Sequence, residues 1–398
     1  MAAVLASFPA TAAAAAPGPA PDKIVIKPIV DARLRYETVD QGALDADALT
    51  LRVRAGADAR LGSFSLLAEG EGTAALVDNY SGFPFLIDDE QRRPQHAVVA
   101  DPRNIELNRL QVQYKSRSLT GTLGRQRINL DDQRWVGSVG WRQNEQTFDA
   151  IRGEATIGPV GVDLTYANSQ RTVFGGDAGP RTAFDGDFIF AGAGSKIGPL
   201  QGKLFAYLLD YDEDFFRANS SQTYGGILNG AVKLGHAKLS LRLSYARQSD
   251  YGDNPRRYAA DYWSAEGAAA IAGFAFTAGW EQLGSDHGRS LQTPMATLHK
   301  FNGWADLFLT TPTAGLEDAY ASITKTFPGM KALPGLNASI AFHRFDSAAG
   351  NIEYGTEWDA SAGFKIGKVG VLLKYADYDA KGFGFDTRKL WLQAEWAL

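Results

Sequence analysis

The stretch LTLRVRAGAD at residues 49–58 places an apolar residue at each odd position and a polar residue or glycine at each even position. Successive side chains of a β-strand point to opposite faces, so this alternation predicts a strand with one apolar and one charged face. Arg52 and Arg54 share the charged face. Such a face cannot be buried in a dry core without partners, which favours contact with water.

The same alternation recurs through the chain, for example at residues 30–37, 238–245 and 354–365. Tight turns are predicted near Leu61-Gly62, Ser116-Arg117, Gly158-Pro159, Gly198-Pro199, Gly235-His236, Ala272-Gly273 and Gly367-Lys368. Longer links are predicted at about 78–102, 131–145, 173–183, 213–221, 249–257 and 285–314. Alternating short and long connections are typical of a transmembrane antiparallel up-and-down β-barrel, here of about eighteen strands, with both termini on the periplasmic side.

Composition agrees with an exported all-β protein. The 398 residues include 43 glycines and no cysteine, which excludes a disulfide scaffold and a thiolate site. The net charge of −5 argues against nucleic acid as a partner. No stretch reaches the roughly 18 consecutive apolar residues that a membrane helix needs, so a spanning chain must form a closed barrel.

The two ends of the chain carry targeting signals. Residues 1–22 resemble a signal peptide, with a disordered Ala/Pro-rich leader as the alternative, and residues 23–398 are predicted to form the barrel. The last segment, TRKLWLQAEWAL (387–398), resembles the C-terminal signal that the barrel assembly machinery recognises, although it ends in leucine rather than phenylalanine. Outer-membrane lipid and lipopolysaccharide are the expected surroundings, and a monomer is favoured.

Aromatic residues near predicted strand ends form the girdles that a membrane barrel needs at its two interfaces. They are Tyr36, Phe64, Tyr114, Tyr166, Tyr245, Trp263, Trp280, Trp358 and Tyr375.

Two blocks resemble the alginate export family of outer-membrane porins. The first is LTGTLGRQRINLDDQRWVGSVGWRQNEQTFDAIR (119–152), and the second is TPMATLHKFNGWADLFLTTPTAGLEDAY (293–320). The resemblance implies an eighteen-stranded barrel in the bacterial outer membrane that passes an anionic polysaccharide or a related small anionic solute.

Arginine suits such a solute because its guanidinium group is always charged and pairs with a carboxylate through two hydrogen bonds. The arginine candidates for the lumen are Arg33, Arg35, Arg52, Arg54, Arg109, Arg125, Arg127, Arg134 and Arg152. Strict alternation would place Arg125 and Arg127 toward lipid, unless Gly124 forms a bulge or the segment lies above the bilayer. An alternative stays open, in which the arginines brace the wall against carboxylates of neighbouring strands and the channel is an unselective general porin.

The segment 285–314 is longer than a hairpin connection needs, and it is rich in apolar residues. It is therefore predicted to fold inward as a constriction or lid. Lys300 and Asp306 would then meet a charged solute, while His299 would make a structural hydrogen bond.

Catalysis is not expected. The five histidines show no catalytic spacing, and neither a phosphate-binding loop nor a zinc motif occurs, so no cofactor or metal is predicted. Asp131 and Asp132, with Arg134 and Trp135, could form a Ca²⁺ or lipopolysaccharide contact or belong to an ordinary solvated loop.

Overall fold

The computed structural model describes residues 23–398, so the predicted leader at 1–22 lies outside the described residues. Eighteen strands form one antiparallel sheet. They are β1 Val25–Gln41, β2 Leu44–Leu61, β3 Phe64–Asn79, β4 Asn104–Lys115, β5 Leu119–Gln126, β6 Thr147–Ile157, β7 Val160–Arg171, β8 Ala183–Ile197, β9 Leu200–Tyr211, β10 Ser221–Leu234, β11 Ala237–Asp250, β12 Ala259–Ile271, β13 Phe274–Leu283, β16 Leu316–Thr326, β17 Asn337–Asp346, β18 Glu353–Ile366, β19 Val369–Ala380 and β20 Thr387–Ala397.

The sheet closes on itself. Each strand pairs with its neighbours along the chain, and β1 also pairs with β20, from Asp31 opposite Ala397 to Gln41 opposite Thr387. Among residues 23–398, every strand of this sheet has a partner on both sides, and the predicted eighteen-stranded up-and-down barrel is confirmed.

The remaining elements are short. β14 (Ser285–Asp286) and β15 (Arg289–Ser290) form a small separate ladder, and three-residue 3₁₀ helices lie at Gly179–Arg181, Arg217–Asn219 and Leu298–Lys300. Within residues 23–398, no helix has the length and apolar character needed to span a membrane.

All seven predicted tight turns and all six predicted long links are found between the strands. Two connections depart from the predicted alternation: the tight link at 42–43 lies at the end of the barrel that carries the long loops, and the longer link at 327–336 lies at the end that holds the termini. We refer to the terminal end as periplasmic and to the opposite end as extracellular.

The alternation of faces also matches the prediction. In β2, the inward Arg52 is fully buried and the outward Val53 is 42% exposed. A register shift between Phe345 and Asp346 leaves Tyr354 out of the β17–β18 ladder, so Tyr354 turns inward although strict alternation predicts it beside the outward Trp358.

The interior has two different sides. Inward residues of β8, β9 and β12 are largely apolar and aromatic, and they pack with residues of two long loops in one buried cluster. Inward residues of β1–β3, β19 and β20 are largely charged. The loops therefore bury apolar surface on one side and present polar groups to the other.

Candidate functional site, a constriction inside the barrel

Two connections fold into the barrel and join there. We call residues 127–146 the first inner loop and residues 284–315 the second inner loop. Val136 and Met295 form a parallel bridge between them, and Gly137 N donates to Met295 O at 2.9 Å. The Gln146 side chain donates to both Gly137 O and Met295 O. The two loops thus form one unit across the lumen. The second inner loop folds inward, as its sequence predicts.

Arg134 fastens this unit internally. Its guanidinium group pairs with Glu281 of β13 at 2.8 Å and donates to Thr293 and Asn302 of the second inner loop. The side chain is buried, and its charge lies 4.8 Å from the Phe301 ring centroid. Removing one partner of such a buried pair leaves an uncompensated charge, so Arg134 braces the loops in this structure.

His299 connects the second inner loop to the wall. Its Nδ1 lies 2.7 Å from Asp306 Oδ1, and its Nε2 lies 2.6 Å from Lys374 Nζ of β19. The Nδ1–H tautomer satisfies both contacts, because Lys374 can only donate. Trp141 of the first inner loop stacks on the His299 ring at 4.4 Å. Burial and the neighbouring Lys374 hold the pKa of His299 well below its ordinary value, although Asp306 opposes this. The predicted structural role of His299 is confirmed.

Asp306 is surrounded by cations. Arg142 of the first inner loop donates to it at 2.9 Å, and Lys389 of β20 does so at 3.3 Å. Burial opposes ionisation of Asp306, but His299, Lys389 and Arg142 together hold its pKa well below its ordinary value. Asp306, predicted to meet a solute, is an anchor of the loop in this conformation.

Arg33 of β1 holds the backbone of the first inner loop. It donates to the carbonyl oxygens of Gly140, Trp141 and Arg142 at 3.0–3.2 Å, and it pairs with Glu395 at 3.0 Å. A guanidinium group with this many acceptors fixes the position of the loop more firmly than a single ion pair does.

Arg35, two residues further along β1, plays a similar part. It donates to Gln393 and to Trp141 O, and its guanidinium carbon lies 4.1 Å from the Trp141 ring centroid. Arg35 is 1% exposed, so the predicted solute contact is blocked here by the protein's own groups.

The arginines of β2 are also buried. Arg52 pairs with Asp31 and Glu395, and Arg54 pairs with Glu71 and Glu145. Around Arg52 the carboxylates are the partners that water reaches, because Asp31 is 20% and Glu395 33% exposed while Arg52 is 0% exposed.

The pairs around Glu69 have the opposite orientation. Arg109 holds Glu69 through two hydrogen bonds of 2.9 and 2.7 Å, and Arg127 contacts both Glu69 and Glu145. Arg109 is 16% and Arg127 27% exposed, whereas Glu69 is 1% and Glu145 5% exposed. Here the guanidinium groups face the water-filled space, with the carboxylates behind them.

Arg125 and Arg127 lie on different sides of the wall. Gly124 has a φ of +113°, but the register of β5 with both neighbours is unbroken, so no bulge forms. Arg125 therefore stays on the outer face with Leu123 and pairs there with Asp149 at 2.8 Å. Arg127 follows the end of β5 and turns inward, so of the two only Arg127 can meet a solute in the lumen.

Two further candidates also have partners within the protein. Arg152 pairs with Asp163 and Glu154 on the inner wall. Lys300 donates to the backbone oxygen of Asp132 at 2.8 Å.

Sequence reasoning did not single out Lys203, Arg242, Arg142, Lys374 or Lys389, all of which contribute to the constriction. The inward positions of Arg242 and Lys389 follow from strand alternation, but the loop residues that they face do not. Within the described part of the chain, no group of three or more His, Cys, Asp or Glu side chains could hold a metal ion.

Comparison with known proteins agrees with this architecture. Residues 32–177 match the sequence model of the alginate export family. This range contains the first block that resembles the family in sequence, at 119–152. It does not reach the second block, at 293–320. A search of curated proteins finds no match.

Solved structures share the fold over nearly the whole chain. Acinetobacter baumannii OccAB1 has 14% identity and a TM-score of 0.73, covering 94% of this chain and 96% of that chain. Pseudomonas aeruginosa OpdK with vanillate has 14% identity and a TM-score of 0.71, covering 94% and 98%. Pseudomonas aeruginosa OccK2 (OpdF) in complex with glucuronate has 17% identity and a TM-score of 0.70, covering 94% and 96%.

The chain thus has the fold of outer-membrane porins, and its closed barrel belongs in the bacterial outer membrane. The family model is named for alginate export, and a structural neighbour, OpdK of Pseudomonas aeruginosa, is named as an outer membrane protein. Neither name denotes an enzyme, in agreement with the sequence-based expectation.

Proposed function

We propose that this protein is a passive outer-membrane channel for small anionic organic solutes, with uronates as the favoured class. The observation that carries the proposal is the orientation of the pairs at Glu69, where Arg109 and Arg127 are the partners that face water. A solute carboxylate meets guanidinium groups there before it meets the carboxylates behind them.

The comparisons support the solute class. Vanillate and glucuronate, the molecules named with two structural neighbours, each carry a carboxylate, and alginate is a chain of uronate sugars. Arg109 already binds the Glu69 carboxylate through two hydrogen bonds, the mode that a solute carboxylate would use.

A second candidate is an unselective general porin. It is favoured by the orientation around Arg52, where the partly exposed carboxylates of Glu395 and Asp31 cover a buried guanidinium group. If this part of the wall determines the properties of the channel, its paired charges stabilise the barrel. A solute in the lumen then experiences little net charge from them.

Reversal potentials in planar bilayers under a KCl gradient distinguish the two. The double variant Arg109→Gln/Arg127→Gln is expected to lower the chloride-to-potassium permeability ratio about fivefold per charge at low salt. One charge roughly 8 Å from an ion in water contributes about 0.5 kcal/mol, and this contribution has opposite signs for chloride and potassium. The matched control is Arg125→Gln, two residues from Arg127 but on the outer face.

The intact channel should also be blocked by oligouronates at millimolar concentration, and the double variant should lose this block. An intact channel that prefers cations and ignores oligouronates would contradict the proposal and favour the general porin.

A further inference from the structure

The tip of the first inner loop places two adjacent carboxylates against the inner wall. Asp131 accepts hydrogen bonds from Lys203 Nζ of β9 at 2.8 and 2.9 Å, and from the Tyr207 hydroxyl at 3.3 Å. Lys203 and Tyr207 both point inward from β9, with Phe205 between them. The Lys203 ammonium group and the Tyr207 hydroxyl therefore both donate to the Asp131 carboxylate.

Asp132 contacts two more cationic side chains. Its carboxylate pairs with Arg242 of β11 at 2.7 Å, and its backbone oxygen accepts from Lys300 of the second inner loop at 2.8 Å. Three cations from three separate elements therefore meet one Asp-Asp dipeptide. The dipeptide lies against the inner wall of the barrel, so it is not on the outer surface, where lipopolysaccharide would contact the protein.

The wall is shaped to receive these groups. The Lys203 side chain crosses β8 at Gly192, where an added Cβ would lie 2.6 Å from Lys203 Cε. On the loop side, Asp131 and Gln133 both have left-handed backbone, with φ of 52° and 71°. Neither residue is glycine, so the tip keeps a conformation that side chains disfavour while its carboxylates reach the cations.

Water reaches this contact. The side chains of Lys203, Asp131, Asp132 and Arg242 are 22%, 13%, 18% and 15% exposed. Because water reaches these ion pairs, a soluble anion can reach the same cations and compete with the loop carboxylates. Lys203 lies near the periplasmic end of β9, and Arg242 lies in the periplasmic half of β11; both contact the loop tip there.

Other charges border the contact. Arg152 and Asp163 pair with each other beside Tyr207, and Glu266 of β12 accepts from Tyr320 near Lys300. Arg152 is paired with both Asp163 and Glu154, which together leave one negative charge, and Glu266 adds a second at the Lys300 side. Without the loop carboxylates, Lys203, Arg242 and Lys300 would therefore leave an excess of positive charge.

We propose that Lys203, Tyr207, Arg242 and Lys300 form a second anion site, which the loop carboxylates Asp131 and Asp132 occupy as a tethered competitor. The proposal rests on the proposed function as a channel for organic anions. The ligand class is a molecule with two carboxylates at short separation, such as a dicarboxylate or a pair of linked uronates. A solute that binds there displaces the tip and frees the first inner loop from the β9–β11 wall.

The test is the double variant Asp131→Asn/Asp132→Asn in planar bilayers, with succinate as the probe. The reversal potential of the variant is expected to shift toward the equilibrium potential of chloride. Succinate should reduce the current of the variant by half at a concentration about two- to fivefold lower than in the intact channel, which is the range for one partly exposed ion pair. The matched control is Asp88→Asn/Asp89→Asn, another adjacent pair, in the extracellular link 80–103. Adding Lys203→Gln to the variant should reverse the gain.

Unchanged succinate block and reversal potential in a variant that remains heat-modifiable on gels would overturn the proposal. This result is separable from failure of the proposed function. If the Arg109/Arg127 variant changes the selectivity while the Asp131/Asp132 variant changes neither the reversal potential nor the block by succinate, only the proposal of a second site is wrong. If the intact channel ignores oligouronates but the tip variant gains a succinate block that requires Lys203, the second site stands alone.

Discussion

At the scale of single residues, His299 couples the second inner loop to pH. Its folded-state pKa lies well below its ordinary value because it is buried beside Lys374, so the folded loop keeps it neutral where a hydrated histidine takes up a proton. As pH falls below about 6.5, the released loop gains this proton and the packed loop does not, which destabilises packing by up to about 1.4 kcal/mol per pH unit.

Asp306 does not oppose this trend. Because its pKa is depressed in the folded protein, its contribution is present above the ordinary carboxyl range and is lost only at stronger acidity. Of these two groups, His299 is therefore the one whose protonation weakens packing between about pH 6.5 and about pH 4.

We expect current fluctuations of the single channel to increase as the pH is lowered from 7 to 5. In His299→Gln this increase should vanish, since a glutamine amide can donate to Asp306 and accept from Lys374 without titrating. The control is His236→Gln in an exposed periplasmic turn. Equal pH dependence in both variants would count against the role of His299.

At the scale of elements, the joint between the two inner loops depends on Gly137. A Cβ at this position would lie 2.2 Å from Thr297 Oγ1 and 2.7 Å from Gln133 Cβ. Both loops would have to separate to accept it, at a cost of about 1–3 kcal/mol.

Gly137→Ala should therefore raise mean conductance and weaken solute selectivity while the barrel itself stays folded. Gly140→Ala is the matched control in the same loop, because its Cβ would have no neighbour closer than 3.9 Å. Conductance traces that do not differ between the two variants would show that the joint tolerates the methyl group.

At the scale of the whole molecule, closure through β1 and β20 predicts the behaviour of the protein in detergent. A barrel whose strands are all paired has no edge at which detergent can begin to unravel it. The unheated protein should migrate differently from the boiled protein on gels, and its circular dichroism in detergent should be β-rich. Recovery of a folded protein in buffer without detergent would contradict a membrane barrel.

The wall could be predicted from sequence to a greater extent than the interior. Alternation at period two depends only on adjacent residues, so the faces of β1 and β2 and the tight turns follow directly from the chain. Contacts such as Val136 with Met295, or Asp132 with Arg242, join residues that are far apart in sequence and carry no local signal. For the same reason, strand alternation places Arg52 inside the barrel but does not show that it already pairs with the carboxylates of Asp31 and Glu395.

The joint between the inner loops also has a consequence for biogenesis. The first inner loop leaves the wall after β5 and the second after β13, so each finds its partner only when the intervening strands have formed and curved round. The constriction is thus completed only after a large part of the wall has formed. A barrel arrested halfway through assembly would be an open hole, and rapid clearance of such intermediates would protect the cell that makes it.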